Sequence, residues 1–237
     1  MKNKPFDEVI AAGVDLQAKL PALELVAVGG TAAAIHCRHR VSLDVGCVTP
    51  HLTPRFDQVA ETLAQWEGWK TNRQQKPVII LGERHDVELG IRQLRRSIPL
   101  QITQVRGLRV PTANEALRVK AFLCVERRAV RDFVDVAALA HLLGEAAALR
   151  SLTYFNLLYP SPVSQTRVTQ FAEVCEMEPL DLAAVHLADY KGLQPCWQDW
   201  SGVQTRCQTL ARKLLQLELN RELPSTLDQG FYETAPA

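Results

Sequence analysis

The chain has 237 residues, 47% of them apolar and 22% charged, with a formal net charge of +1. Those are the proportions of an ordinary soluble globular protein long enough for one large domain or two small ones. They give no strong prior for nucleic acid, and no apolar run is long enough to span a bilayer. The N-terminal stretch from Met1 to Glu8 turns acidic and amphipathic at once, which does not read as a signal peptide. Six cysteines, scattered and without a Cys-x-x-Cys pair, fit reduced thiols in a cytoplasm rather than a disulfide frame.

In chain order, residues 6–20 predict a helix with Phe6, Val9, Ile10, Val14 and Leu16 on its apolar side, ended by Pro21. A short buried strand follows at 24–28, then a Gly29-Gly30-Thr31 turn that opens a short helix at 31–38. A second strand is expected over about 41–48, exposing Ser42 and Asp44 on one face. Helix spacing returns from Phe56 to Trp66. Strands are expected at Pro77–Gly82, Asp86–Ile91 and Leu100–Arg106. Near residue 111 the texture changes. Thr112 and Glu115 form a capping box, and helices are expected at about 113–127, 129–143, 164–175, 181–189 and 202–221, with a loop at 158–162 and a loose polar tail after Pro224. The chain divides into a mixed α/β part, 1–110, and a helical part, 111–237.

Chemistry-bearing residues concentrate in a few places. Glycines after a strand let a backbone approach a phosphate, and helix N-terminal amides favour anions, so Gly29, Gly30 and Thr31 are candidates for a phosphate site, with a tight strand-to-helix connection as the competing explanation. A dozen residues on, Ser42 and Asp44 strengthen that reading, because Mg²⁺ is held by one or two carboxylates plus phosphate oxygens. Period-two alternation makes residue 46 the partner that faces the same way as Asp44, and residue 46 is glycine.

Glu88 and Asp86 alternate onto one face of the later strand. Glu88 is preferred as general base or further metal ligand because Val87, Leu89 and Ile91 then pack consistently on the other side. A solvated edge-strand charge is the competing explanation. Lys120 sits among Ala116, Leu117, Leu123 and Cys124, so its head group needs an anionic partner or an escape route. Asp132 and Asp135 share a helix face. Arg131 can pair with Asp135 at i,i+4, and Lys120 is a second candidate partner for Asp135, as a structural ion pair or a catalytic one. His36, Cys37, His39 and Cys47 match no common zinc spacing. Arg92, Arg95, Arg96, Arg106 and Arg109 read as a basic rim for RNA phosphates or as a solvated face.

Taken together, these residues resemble the AbiEii/AbiGii-type nucleotidyltransferase toxins, a branch of the polymerase-β-like superfamily. The resemblance rests on Gly29-Gly30-Thr31-Ala32, His39-Arg40-Val41-Ser42-Leu43-Asp44, Gly90-Ile91-Arg92-Gln93-Leu94, the 115–121 run around Lys120 and Arg131-Asp132-Phe133-Val134-Asp135. It extends to Asp189-Tyr190-Lys191-Gly192-Leu193 with Trp197 and Trp200. It implies an α/β (α+β) fold: an N-terminal nucleotidyltransferase mixed sheet with flanking helices, then a C-terminal helical bundle. It also implies a cytoplasmic toxin of a type IV toxin–antitoxin system that transfers a nucleotide from an NTP to an acceptor such as tRNA, with Mg²⁺ (Mn²⁺ as substitute) and a cognate antitoxin. By that resemblance Gly29, Gly30 and Thr31 hold the triphosphate, Asp44 binds the metal, and Lys120 and Asp135 complete the site from the helical part; the reading of the residues adds Ser42 and Lys120 to the nucleotide set and Glu88 as a further metal ligand. The catalytic set is then Asp44, Glu88, Lys120 and Asp135. The departure is Gly46, which stands where the usual Asp-x-Asp pair has its second acid. Its loss sets an alternative beside the enzyme: a degenerate pseudo-nucleotidyltransferase that acts as a nucleotide- or protein-binding module.

Overall fold

The computed structural model describes residues 6–233; the first five residues of the N-terminal stretch and the last four of the tail lie outside it. The chain divides into two compact units, one made of residues up to 32 and 42–111, the other of residues 33–41 and 112 onward. The helical unit thus draws in a short segment from within the α/β part of the sequence.

The first unit is built on a five-stranded sheet. Helix α1 (Phe6–Lys19) precedes β1 (Val26–Val28), α2 (Gly29–Cys37) begins directly after it, and β2 (Asp44–Thr49) follows. Then come α3 (Phe56–Ala64) and the strands β3 (Trp69–Gln75), β4 (Ile79–Arg84) and β5 (Val87–Gln93). A separate two-stranded sheet pairs β6 (Ile102–Val105) with β7 (Leu108–Pro111). The main sheet runs β1-β2-β5-β4-β3, with β2 and β5 parallel and every other neighbour antiparallel. One face is the core. Val45, Cys47, Ile80, Leu89 and Ile91 are buried there, and α1 comes so close that a Cβ on Gly13 would lie 2.9 Å from Leu108 Cδ1. The other face keeps Asp44 and Glu88 exposed.

The second unit is helical: α4 (Ala113–Arg127), α5 (Val130–Leu143), α6 (Glu145–Leu152), α7 (Phe155–Leu158), α8 (Arg167–Glu176), α9 (Trp200–Leu219) and α10 (Gln229–Glu233). Thr112 caps α4 as its sequence predicts, its hydroxyl accepting from the Glu115 amide at 3.3 Å. Among the described residues no helix is long and apolar enough to cross a membrane.

Several expectations need correction. Strand β3 was not expected, because six of its seven residues are exposed and the alternation that marks a half-buried strand is absent. Strand β7 was hidden by its shortness and by Pro111, and α6 by the lack of any break other than Gly144 before it. The helix expected at 181–189 is two separate 3₁₀ turns, Leu182–Ala184 and Leu187–Asp189, with extended backbone at Val185 and His186 between them. Only Leu187 of that run is buried, too little apolar surface to hold a helix against a core. The tail is not loose at 229–233. Phe231 is 1% exposed, 5.2 Å from the Tyr154 ring and beneath the Arg118 guanidinium at 4.6 Å, while the Tyr154 hydroxyl donates to Asp228 at 2.6 Å.

Candidate functional site

The in-register pairing of β2 with β5 sets Asp44 beside Glu88 and Gly46 beside Gly90. In a parallel pair such partners share a face. Together with Asn72 from β3, Leu81 and Gly82 from β4, and Arg92 from β5, these residues line a cavity of about 260 Å³ in the first unit. Its floor is the two glycines. A Cβ on Gly46 would meet nothing within 4 Å, so an acid there has room; a Cβ on Gly90 would lie 2.9 Å from Leu81 Cδ2.

Asp44 is held from within its own chain neighbourhood. Ser42, expected on the strand face beside Asp44, instead lies just before β2 and is 2% exposed. Its hydroxyl donates to Asp44 Oδ1 at 3.1 Å. The buried Thr31 hydroxyl donates to the main-chain carbonyl of Asp44, tying the first turn of α2 to the start of β2. Helix α2 opens at Gly29 itself, with φ +73°, a backbone conformation that favours glycine. Because Val28 pairs with Gly46 in an antiparallel ladder, α2 begins at the Asp44 end of β2.

Neither Cys47 nor Asp86 shares the face of Asp44 and Glu88. Cys47 points into the core at 0% exposure, and burial pushes its thiol up to about 12. Asp86 is in the β4–β5 turn at φ +58°, following His85 at φ +50°, the backbone of a tight hairpin, and is not on the strand with Glu88. Sequence reasoning missed Glu83, which pairs in register with Glu88 and so extends the Asp44–Glu88 row across the sheet. Lys70 donates to it at 2.9 Å and holds its carboxyl below the usual range. Asn72 was equally illegible, since it comes from the unexpected β3. Among the described residues no group of three or more His, Cys, Asp and Glu side chains is set to hold a metal ion.

Lys120 and Asp135 belong to the second unit, where they are bound to each other at 2.6 Å. Lys120 is 3% exposed and also donates to Asp132 Oδ1 at 2.7 Å. Asp135, wholly buried, accepts twice from Arg40, at 2.8 and 2.9 Å, and lies 2.7 Å from His39 Nε2. Its helical neighbour Arg131 is therefore not its partner. Burial alone would raise the Asp135 carboxyl, but Lys120 and then Arg40 and His39 hold it well below the ordinary range. Burial likewise opposes the charge on Lys120, which Asp135 and Asp132 nonetheless keep above its usual value. The segment carrying His39 and Arg40 is also clasped through its main chain: Val41 N donates to Lys191 O and Gln194 N to His39 O, both at 2.8 Å. The 189–193 run singled out in the sequence thus has a structural task.

The basic rim disperses. Arg96 donates to the carbonyls of Ile98 and Pro99, and Arg106 pairs with Asp7, while Arg92 lines the cavity.

No protein-family model matches the sequence, nor does any curated protein. Among solved structures the chain is similar to JHP933 from Helicobacter pylori over 91% of this chain and 93% of that one, with a TM-score of 0.51 and 16% identity. The likeness is one of fold. A protein of H. pylori classed provisionally as a nucleotidyltransferase aligns over 92% and 96% at TM-score 0.48 and 15% identity. The antibiotic-resistance factor ANT(2″)-Ia aligns over 62% of this chain and 93% of its own at 0.44 and 14%.

Proposed function

We propose that the chain is a nucleotidyltransferase, transferring a nucleotide from an NTP to a hydroxyl acceptor such as tRNA, and that it acts in the cytoplasm as a toxin beside an antitoxin. The observation that carries the transferase reading is the register pairing of Asp44 with Glu88 beside the open space over Gly46, at the end of the sheet where α2 begins. The toxin role, the tRNA acceptor and the antitoxin rest on the sequence resemblance alone.

Two neighbouring carboxylates and the empty space over Gly46 fit one Mg²⁺ that completes its shell with phosphate oxygens and water. They do not supply the ligands of a two-ion clamp. Bound there by Asp44 and Glu88, Mg²⁺ would neutralise triphosphate charge. Ser42 fixes the rotamer of Asp44 through Oδ1, and Thr31 fixes its backbone. The first amides of α2, from Gly29 onward, favour the donor's phosphates. Glu88 takes the proton of the acceptor hydroxyl; the freed oxygen bonds to the α-phosphorus, and the bond to the bridging oxygen breaks as pyrophosphate leaves. We assign Lys120 and Asp135 to positioning of the 39–41 segment, since both are engaged in buried ion pairs that reach Arg40.

Labelled NTPs, Mg²⁺ or Mn²⁺ and total tRNA test this. RNA labelling that Asp44→Ala abolishes is expected; no labelling with either metal overturns turnover. The second reading, a binding module without turnover, is favoured by Gly46 specifically. It requires Mg²⁺-dependent NTP binding in a thermal-shift titration without any transfer.

A further inference from the structure

The cavity in the first unit is charged differently at its two ends. Asp44 and Glu88 stand side by side at one end, where α2 begins. Arg92 lies four residues further along β5 from Glu88, on the same face, and pairs in register with Val48. At about 3.3 Å per residue the two positions are roughly 13 Å apart along the strand. Between them the trough over Gly46 is open, bounded by Leu81, whose Cδ2 closes over Gly90, and lined also by Asn72. A carboxylate pair repels a bare phosphate, whereas a guanidinium takes one by charge-assisted hydrogen bonds. The glycine floor admits a flat or bulky body that a second acid at 46 would obstruct.

We infer that this trough holds the acceptor, a phosphate-bearing hydroxyl compound of nucleoside-monophosphate size, with its phosphate at Arg92 and its hydroxyl end toward Glu88. The inference rests on the proposed transferase reading and assigns Arg92 a substrate-positioning role. The donor's triphosphate belongs at the opposite end, where the α2 amides and Asp44 are. Loss of the acid at 46 then widens the acceptor's place rather than merely impairing the donor's.

The test follows the glycine amides of the full chain by NMR, with adenosine 5′-monophosphate and adenosine as acceptor probes. A non-hydrolysable ATP analogue with Mg²⁺ is the donor probe. Adenosine monophosphate should shift Gly46 and Gly90, adenosine should bind roughly tenfold or more weakly, and Arg92→Gln should remove that difference. Arg92→Lys should restore part of it, and Gly46→Leu, which fills the trough, should block both probes. The Mg²⁺·analogue should still bind the Arg92→Gln protein and be lost in Asp44→Ala. Unchanged monophosphate affinity in a folded Arg92→Gln variant overturns the inference. So does loss of the triphosphate analogue instead of the monophosphate, which would make Arg92 a donor-phosphate ligand. Monophosphate shifts that depend on Arg92, without any Mg²⁺·analogue binding, would leave the acceptor trough standing and sink the transferase reading.

Discussion

Replacing Asp135 by asparagine removes the negative charge, and one of the two acceptor oxygens, on which three side chains of the helical unit converge. Arg40 loses its bidentate carboxylate pair, His39 and Arg40 are left to share one neutral oxygen, and Lys120 keeps Asp132 as its one anionic partner in the cluster. All four groups are at most 9% exposed, so water does not replace what is lost. Breaking a buried pair by removing one partner costs about 3–5 kcal/mol, and Asp135→Asn should fall in that range. In urea, with a slope of roughly 2–3 kcal/mol per molar, the midpoint should drop by about 1–2.5 M. The pH dependence has a fixed sign. Asp135 has a folded value well below its unfolded one of about 4, so its contribution is fully present above pH ~4 and is lost as pH falls through the lower folded value. Lys120 is shifted upward. Its contribution is present below its unfolded value of about 10.4 and is lost as pH rises through the folded one. The gap between wild type and Asp135→Asn should therefore be constant across neutral pH and should close under acid. A stability loss below about 1 kcal/mol, or a gap that widens on acidification, refutes the idea that this cluster carries buried charge.

Gly46→Asp meets no steric barrier, and if the missing acid limits turnover it should raise Mg²⁺-dependent nucleotide transfer by ~10-fold or more; no gain in a folded variant means that the glycine is no defect. Ser42→Ala removes the hydroxyl that orients Asp44 and should weaken Mg²⁺·NTP binding in a thermal-shift titration while leaving the apo melting curve nearly in place. An equal loss of apo stability would make Ser42 merely structural. Phe231→Ala empties a site that is 1% exposed between Tyr154 and Arg118, and should cost about 3–5 kcal/mol in denaturant unfolding. A cost under 1 kcal/mol would mean that the C-terminal helix stays off the unit in solution.

What the sequence discloses tracks how each residue is constrained. Helix α4 could be placed to the residue because Thr112 and Glu115 form a local cap and a long run of buried positions follows. Lys120 stood out because a lysine on an apolar stripe has few outcomes, and Asp135, though not Asp132, was its legible partner. Arg40 was not, since nothing local says that residues 39 and 40 pair nearly a hundred positions away. Asp44 and Glu88 were found by alternation, but their adjacency depends on a parallel β2–β5 pairing that only the whole sheet determines. The edge strand β3 was hidden because both its faces meet water, and with it went Asn72 and the Lys70–Glu83 pair.

Gly46 changes meaning once the sheet is known. In the sequence it is a missing ligand, a subtraction from an Asp-x-Asp pair. In the fold it pairs with a second glycine, Gly90, on the same face, and that residue cannot gain a Cβ without pushing Leu81 aside. A sheet loses stability at each interior glycine, roughly 0.5–1 kcal/mol relative to alanine, so two side by side in the middle of central strands are costly to keep. A site that had merely lost an acid would tolerate any small residue at 46, whereas a trough for a substrate needs the glycine. Gly46→Ala separates the two: it should stabilise the strand, and it should weaken monophosphate binding only if the trough is occupied in the working protein.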